Sequence, residues 1–419
     1  MMTRILVVAH NHPDFHPGGT EIFARDLFMA YKAAGAEALF LAATNTVHRE
    51  QRPGTSFQAV GPSGDEVVLW AGHFDRLNLS QVDSYGVVQD LIRLLEDYRP
   101  DVVHLHHLLL VGAEFPFVVR RVLPEARIVL TLHDYYPICH RDGLMVRTTG
   151  EERCDRATPS RCHACFPEIT ADKFLLRERH LKTLLRAVDR FVAPSAFLRR
   201  RYIDWGLPAD RIDVIANARP PVTPAPTRLV PANAPVTFGY FGNLSRWKGV
   251  PVLLKAAERL REQGVPFELR LHGGMPFQTD VFKAEIDRLA ALLGPDLVRL
   301  GAYTPDQVPA LMTAVDWVVV PSIWWENAPL VIQEAFQHRR PVITSGIGGM
   351  AEMVDDGVTG LHAAANDPSD LARVMRRAAE DRSLQRSLAA AIPPARTMEA
   401  CAAEHLALFD RAGLIEEVA

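Results

Sequence analysis

Two glutamates in the stretch PSIWWENAPLVIQEAF (321–336) have a spacing that suggests chemistry. Glu326 follows an apolar run that reads as the end of a strand, and Glu334 lies seven intervening residues later in a helix-like segment. Glu334 shares an apolar helical face with Leu330 and Val331, so its carboxylate needs a partner. A glutamate inside a nucleotide site can accept hydrogen bonds from both ribose hydroxyls, which is a candidate role for Glu334.

Basic residues follow a second strand-like run, in FGYFGNLSRWKGVPVLL (238–254). The run ends at Gly242, and Arg246 and Lys248 come before a helix-like segment. Two cations at the carboxyl end of a strand, beside a helix start, suit a diphosphate. The alternative is a solvated basic loop.

A glycine pair, Gly18 and Gly19, follows the first strand-like run, in HPGGTEIFARDL (16–27). Such a pair lets backbone N–H groups approach a phosphate at a helix start. The segment has neither the GxGxxG nor the GKS/T pattern, so an ordinary tight turn is the alternative.

The elements that must position these residues alternate between short apolar runs and longer amphipathic segments. Because the apolar runs are continuous, they predict parallel sheets buried on both faces, with ligands bound beyond the carboxyl ends of the strands. The predicted strands are 5–9, 39–43, 102–106, 128–133, 191–195, 212–217, 237–242, 268–273, 317–322 and 341–345.

The length of 419 residues, 48% of them hydrophobic, predicts a globular protein of two domains. The proline-rich stretch 217–235 reads as a linker between an N-terminal domain (1–216) and a C-terminal domain (236–395). Residues 396–419 read as a helix whose docking site the sequence does not reveal. A net charge of -4 gives no overall attraction to nucleic acid. The fold class is therefore α/β, with two doubly wound, Rossmann-like domains facing each other across a cleft.

Several motifs in this order resemble the retaining GT-B glycosyltransferases, especially glycosyltransferase family 4. The resemblance rests on the E-x7-E pair with the glycine-rich pattern that follows it, and on HPGGTE, PDVVHLHH (100–107), LTLHD (130–134), DVIANAR and FGNLSRWKG. The resemblance implies that Glu326 contacts the donor sugar, Glu334 holds the ribose and Lys248 neutralises the diphosphate. It implies that His133 lies on the sugar side of the cleft and helps to position the donor.

The remaining donor-binding residues that the resemblance implies surround these. They are Gly18, Gly19, Asn243, Gly273, Asn327, Ala328, Pro329 and Leu330. The family usually has arginine where this chain has Asn243, so we expect Arg246 to supply the second cation.

The implied activity is retaining transfer of a sugar from a UDP- or GDP-sugar to a glycan or lipid-linked acceptor, in bacterial surface polysaccharide or glycoconjugate synthesis. The chain contains no D-x-D motif, so we expect no metal in catalysis; cations and helix N-termini would stabilise the leaving group instead. A UDP-sugar 2-epimerase of the same architecture and a non-catalytic sugar-nucleotide-binding protein remain alternatives.

Four of the five cysteines lie within HDYYPICHRDGLMVRTTGEERCDRATPSRCHACF (133–166). Cys139, Cys154, Cys162 and Cys165 could complete a tetrahedral structural zinc site, with His140 or His163 as a possible substitute for one thiolate. Free thiols are the alternative, followed by an iron–sulfur cluster or a redox disulfide. We expect this insertion (about 137–168) to shape the acceptor side.

The stretch 173–201 carries nine Lys or Arg against Glu178 and Asp189. A basic helix face of this kind could dock on anionic lipid and reach a lipid-linked acceptor, or could be an ordinary solvated face. The apolar run Ile5 to Ala9 is too short for a signal-peptide core, and no run approaches a membrane span. We therefore expect a cytoplasmic protein, which docking through this basic face would bring to the inner face of the membrane.

Overall fold

The computed structural model describes residues 2–45, 56–223 and 234–412. It divides into an N-terminal unit (Met1–Ala218 with Thr397–Ala419) and a C-terminal unit (Arg219–Arg396). Most of the predicted linker, residues 224–233, lies outside the described residues.

The N-terminal unit is built on an eight-stranded sheet in the order β10-β9-β8-β7-β1-β2-β4-β3. All neighbouring strands are parallel except β3 and β4, and β5 and β6 form a separate hairpin. The strands are β1 (Arg4–Ala9), β2 (Glu37–Thr44), β3 (Phe57–Ala59), β4 (Glu66–Trp70), β5 (Phe74–Asp75), β6 (Ser80–Gln81), β7 (Val102–Leu105), β8 (Arg127–Thr131), β9 (Arg190–Ala193) and β10 (Ile212–Val214). The helices are α1 (Gly19–Ala33), α2 (Val87–Tyr98), α3 (Phe115–Val122), α4 (Pro159–Cys165), α5 (Ala171–Leu184) and α6 (Ala196–Trp205).

The C-terminal unit has a six-stranded, fully parallel sheet in the order β13-β12-β11-β14-β15-β16. Its strands are β11 (Val236–Phe241), β12 (Phe267–His272), β13 (Leu297–Gly301), β14 (Trp317–Val320), β15 (Val342–Ser345) and β16 (Gly360–Ala363). Its helices are α7 (Val250–Glu262), α8 (Asp280–Leu293), α9 (Val308–Thr313), α10 (Leu330–Gln337), α11 (Gly348–Met353), α12 (Pro368–Glu380) and α13 (Arg382–Ala391).

The last helix, α14 (Met398–Ala412), belongs to the N-terminal unit. Cys401 and Phe409 are buried in the same core as Phe23 and Tyr31 of α1. The docking site of this helix could not be read from the sequence, because the core that receives it is assembled from residues far earlier in the chain.

All ten predicted strands are present, and most are continuous apolar runs buried in a parallel sheet; β10 and β12 each include polar residues that are only partly buried. The sequence interpretation missed the short strands at the sheet edges, among them β3, β13 and β16, and it missed β4. Helix α11 starts inside the glycine-rich turn, at Gly348, and Glu352 lies near its end. Among the described residues, no helix is long and apolar enough to cross a membrane.

Gly249 offers a test of how tightly the C-terminal unit is packed around its strand ends. Its φ of +74° is left-handed, and a Cβ there would lie 1.9 Å from the carbonyl oxygen of Pro321. We expect Gly249→Ala to lower the free energy of unfolding by roughly 1–3 kcal/mol more than Gly264→Ala, measured by urea denaturation. Gly264 is the matched control because its φ is +70° with no atom within 4 Å of the added carbon. Equal losses in the two variants would contradict this packing.

Candidate active site

The strand order of the C-terminal unit reverses direction between β11 and β14, its first and fourth strands. In open parallel sheets, ligands bind beyond the carboxyl ends of the strands at such a switch point. The two loops that leave this point carry the chemistry-bearing residues: 242–249 follows β11, and 321–329 follows β14.

Glu326 is the centre of this site. Its side-chain oxygen Oε1 accepts hydrogen bonds from Lys248 Nζ (2.6 Å), Ser322 Oγ (2.9 Å) and Trp324 Nε1 (2.9 Å). Glu326 is only 6% exposed, whereas the Lys248 side chain is 37% exposed. A buried carboxylate requires such partners, and these three donors hold it in one position. The structure thus joins Lys248 and Glu326, which lie 78 residues apart.

Backbone contacts fix the loops that carry this pair. The N–H of Ile323 donates to the carbonyl oxygen of Trp247 (2.9 Å), and the N–H of Gly349 donates to the carbonyl oxygen of Glu326 (2.8 Å). A Cβ on Gly349 would lie 1.6 Å from the carbonyl oxygen of Asn327. The glycine-rich turn after β15 is therefore needed to let α11 approach the Glu326 loop.

Glu334 lies on α10, whose N-cap is Pro329. Its Oε1 is 3.4 Å from Nε of Arg219, and both side chains are largely buried. Burial is the main cause that raises the pKa of the Tyr303 hydroxyl, and the nearby charge of Glu334 raises it further. The sequence supplied no partner for Glu334, because Arg219 lies in the proline-rich stretch that reads as linker.

Arg246 lies in the same loop as Lys248, and its Nη1 is 3.5 Å from Glu285 Oε2 of α8, with 45% of the side chain exposed. Asn243 is also exposed, and its carbonyl oxygen accepts a hydrogen bond from the Tyr240 hydroxyl. Gly273 comes so close to Gly242 that a Cβ there would lie 1.8 Å from the carbonyl oxygen of Gly242. That Arg246 is the second diphosphate cation stays a prediction.

In the N-terminal unit, the strand order reverses between β1 and β7, and polar residues gather there too. Gly18 is the N-cap of α1, where a Cβ would lie 2.3 Å from Glu21 Oε2. Oε1 of Glu21 is 3.0 Å from Nε2 of His10, at the end of β1. Burial alone would raise the pKa of Glu21, but the charge and hydrogen bond of His10 lower it to about 2. Gly18 therefore leaves room for Glu21 in a buried ion pair.

His133 and its neighbours form a second polar group at the same edge of the sheet. His133 Nε2 lies 3.0 Å from His106 Nδ1, and His107 Nε2 lies 2.7 Å from Asp134 Oδ2. Burial, then the charges of His107 and His10, lower the pKa of His133 to about 3, against the opposing effect of Asp134. His133 is therefore a neutral imidazole at neutral pH. The pairing of Asp134 with His107 was missed, although both belong to the quoted motifs.

The four cysteines of the insertion form no disulfide and line one cavity, where the Cys154 thiol donates to the carbonyl oxygen of Arg156 (3.3 Å). Burial is the main cause that raises the pKa of Cys162 to about 11, and the neighbouring Cys139 and Cys154 raise it further. In the described part of the chain, no group of three or more His, Cys, Asp or Glu is placed to hold a metal ion.

Fewer basic side chains of the stretch 173–201 are available to contact a membrane than its composition suggests. Arg177 is buried and donates to the carbonyl oxygens of Tyr136 (2.6 Å) and Pro137 (2.7 Å). Four more of its cations contact acceptors within the unit: Lys182, Arg190, Arg199 and Arg201. Lys173, Leu175, Leu176 and Arg179 of α5 are exposed.

Comparison with known proteins decides the family. Residues 18–218 match the glycosyl transferase 4-like domain, and residues 228–393 match the glycosyl transferases group 1. The chain belongs to these glycosyl transferases. The predicted GT-B fold class is confirmed, with two α/β units each built on a parallel sheet.

Two curated relatives illustrate the range of the family. Lipopolysaccharide 1,2-N-acetylglucosaminetransferase of Salmonella typhimurium is 30% identical over 43% of this chain and 50% of its own length. D-inositol 3-phosphate glycosyltransferase of Nocardia farcinica is 28% identical over 65% of this chain and 64% of its own length. The matched region thus spans half to just under two-thirds of these two relatives.

Two solved structures share the fold. Sucrose-phosphate synthase of Thermosynechococcus elongatus has a TM-score of 0.71 at 20% identity, covering 98% of both chains. HepE of Anabaena, in complex with UDP and glucose, has a TM-score of 0.64 at 19% identity, covering 98% of this chain and 97% of its own.

The Glu21–His10 pair gives a pH dependence with a definite sign. Because the folded-state pKa of Glu21 lies below its ordinary value of 4.5, its ionisation stabilises the fold above pH 4.5, and this contribution is lost as the pH falls towards 2. We expect Glu21→Gln to cost up to about 3 kcal/mol of unfolding free energy near neutral pH and much less near pH 3, measured by urea denaturation. Glu96→Gln, at an exposed position of α2, is the control and should cost little at either pH. A Glu21→Gln penalty that does not change with pH would contradict the ion pair.

Proposed function

We propose that this glycosyl transferase moves a sugar, with retention of configuration and without a catalytic metal, from a UDP- or GDP-sugar to a glycan or lipid-linked acceptor. The observation that carries the proposal is the Lys248–Glu326 contact at the switch point of the C-terminal sheet. A fixed carboxylate beside a cation, at the edge where ligands bind, can hold sugar hydroxyls and a diphosphate side by side.

The residues around Glu326 support separate roles for its two oxygens. All three side-chain hydrogen bonds described for Glu326 end on Oε1. Oε2 is then the oxygen that would accept hydrogen bonds from the donor sugar. Asn327, Ala328, Pro329 and Leu330 follow directly and lead into α10, whose first N–H groups have no acceptor within the helix. These groups would face the donor, as the helix N-terminus favours negative charge.

In the reaction, the bond from the anomeric carbon to the diphosphate oxygen breaks while the acceptor oxygen bonds on the same face. The proton of the acceptor hydroxyl passes to the departing diphosphate. Negative charge grows on the diphosphate, and Lys248 with Arg246 would stabilise it where a metal ion acts in other transferases. Glu326 forms no covalent bond in this scheme.

Glu334 would hold the ribose, with Arg219 orienting its carboxylate at 3.4 Å. The uridine donor is favoured by the HepE structure, which contains UDP and glucose. A role in surface polysaccharide synthesis is favoured by the lipopolysaccharide-modifying relative from Salmonella.

Two substitutions separate donor binding from transfer. Glu334→Asp shortens the side chain by one methylene, so we expect weaker donor binding, of the order of tenfold, with the chemical step little changed. Glu326→Gln keeps the shape and removes the charge that Lys248 contacts, so we expect mainly a lower kcat. Donor affinity is measured by thermal shift over a panel of nucleotides and nucleotide sugars, and transfer by product mass. Identical behaviour of the two variants would contradict this division of roles.

Lys248→Ala provides the sharper test of the diphosphate role. We expect it to abolish transfer and to weaken binding of nucleoside diphosphates more than of the nucleoside. Lys255→Ala, at an exposed position of α7, is the control and should leave both unchanged. Conversion of a UDP-sugar without acceptor would instead indicate an epimerase. Binding without transfer or hydrolysis, across a broad acceptor panel, would indicate a non-catalytic binding protein.

A lipid-linked acceptor would bring the enzyme to the inner face of the membrane. The exposed Lys173, Leu175, Leu176 and Arg179 of α5 combine apolar and basic side chains that suit an anionic surface. We expect the double variant Lys173→Glu/Arg179→Glu to lose most of its co-sedimentation with vesicles that contain anionic lipid. Vesicles of neutral lipid serve as the control, and unchanged sedimentation would remove α5 as the contact.

A further inference from the structure

Four of the five cysteines converge on one cavity of the N-terminal unit. Cys139 comes from the loop after β8, Cys154 from a turn further along, and Cys162 and Cys165 from α4. Together they line a cavity of about 20 Å³. Three separate pieces of chain therefore bring a cysteine to the wall of one cavity, which sequence proximity alone does not require.

The segment that carries them has little regular secondary structure and a small core that includes Ile138, Met145 and Val146. Helix α4 spans seven residues, none of them buried. The strand pairing described within 137–168 is a single bridge between Val146 and Arg153. The buried Arg177 fixes the start of the segment through the carbonyl oxygens of Tyr136 and Pro137. Inserted segments with so small a core are commonly stabilised by a disulfide or a metal ion.

The charges around the cavity point to an anionic occupant. Arg141, Arg147 and Arg161 line it together with the four thiols. A divalent ion bound by four thiolates carries a net charge of about -2, which these guanidinium groups would offset. Two disulfides would be neutral. Arg141 already donates to the carbonyl oxygens of Val146 (3.1 Å) and Arg147 (2.5 Å), and an anionic occupant would add a charged partner to these contacts.

We propose that Cys139, Cys154, Cys162 and Cys165 bind one structural zinc ion. Binding forms four Zn–S bonds and releases the four thiol protons to solvent, with no change of oxidation state. Four thiolates fill the tetrahedral coordination of zinc and leave no open position, so the site holds the insertion together and takes no part in transfer.

The thiols must move inward to complete the site, because they are not placed to hold an ion as they stand. Zn–S bonds of about 2.3 Å draw the four sulfurs to within about 4 Å of one another. Helix α4 can make this shift without exposing any core, since none of its residues is buried. The histidines are engaged elsewhere: His163 Nδ1 contacts the carbonyl oxygen of Ile169 (2.8 Å), and His140 packs against Phe166 and Phe174.

Metal analysis of the full chain tests this site directly. In protein purified under reducing conditions, we expect elemental mass spectrometry to find one zinc ion per chain. Modification of the thiols by a mercurial should release that zinc. Cobalt exchanged into the protein should show the absorption of a tetrahedral tetrathiolate complex, a readout that needs no variant. The proposal would be overturned if the purified protein contained no zinc and took up none when zinc was added. It would also be overturned if the protein mass were lower by the hydrogens lost in forming one or two disulfides.

Matched variants locate the ion. Cys162→Ser should lose the zinc and lower the melting temperature. Cys401→Ser should retain a full equivalent, because Cys401 is buried in α14 with its thiol 3.6 Å from the carbonyl oxygen of Ala216. Zinc retained by Cys162→Ser, or lost by Cys401→Ser, would place the ion elsewhere and overturn the assignment. If Cys162→Ser does not fold, the cobalt spectrum of the unaltered chain decides.

Discussion

The buried carboxylate of Glu326 is the constraint on which the candidate active site depends. A charge that is almost out of water must be neutralised or hydrogen-bonded, although solvent at the partly exposed Lys248 weakens the ion pair itself. Lys248, Ser322 and Trp324 meet this requirement on one oxygen, and they bring together the loops after β11 and β14. Two glycines complete the arrangement, since Gly249 must touch the carbonyl of Pro321 and Gly349 that of Asn327.

A different solution to the same problem operates in the N-terminal unit. Its switch point is lined by histidines, and burial keeps three of them neutral. Burial is the first cause that lowers the pKa of His104, His106 and His133, and the charge of a neighbouring histidine lowers it further: His405 acts on His104, His104 on His106, and His107 on His133. His10 differs because Glu21 and Asp134 outweigh the effect of burial and raise its pKa. The imidazole of His10 therefore favours its protonated form, whereas His104, His106 and His133 at the same edge are neutral.

The arginines show how composition can mislead about a surface. The stretch 173–201 reads as a basic face, yet Arg177 holds backbone carbonyls in the interior and Arg190 pairs with Asp213. Around the cysteines, by contrast, Arg141, Arg147 and Arg161 gather at one cavity although they are scattered along the insertion. Whether a basic side chain is available to bind a partner can be judged only when the acceptors around it are known.

The fold class, ten of the strands and the candidacy of Glu326, Glu334 and Lys248 were all predictable from local patterns in the sequence. They were predictable because continuous apolar runs favour a sheet covered on both faces, and because ligands bind beyond the ends of parallel strands. Tertiary structure alone decided the partners. Arg219 beside Glu334, Glu285 beside Arg246, His10 beside Glu21 and the seat of α14 all join residues far apart in the chain. Such contacts follow from the order in which strands assemble, and local patterns of residues do not contain that order.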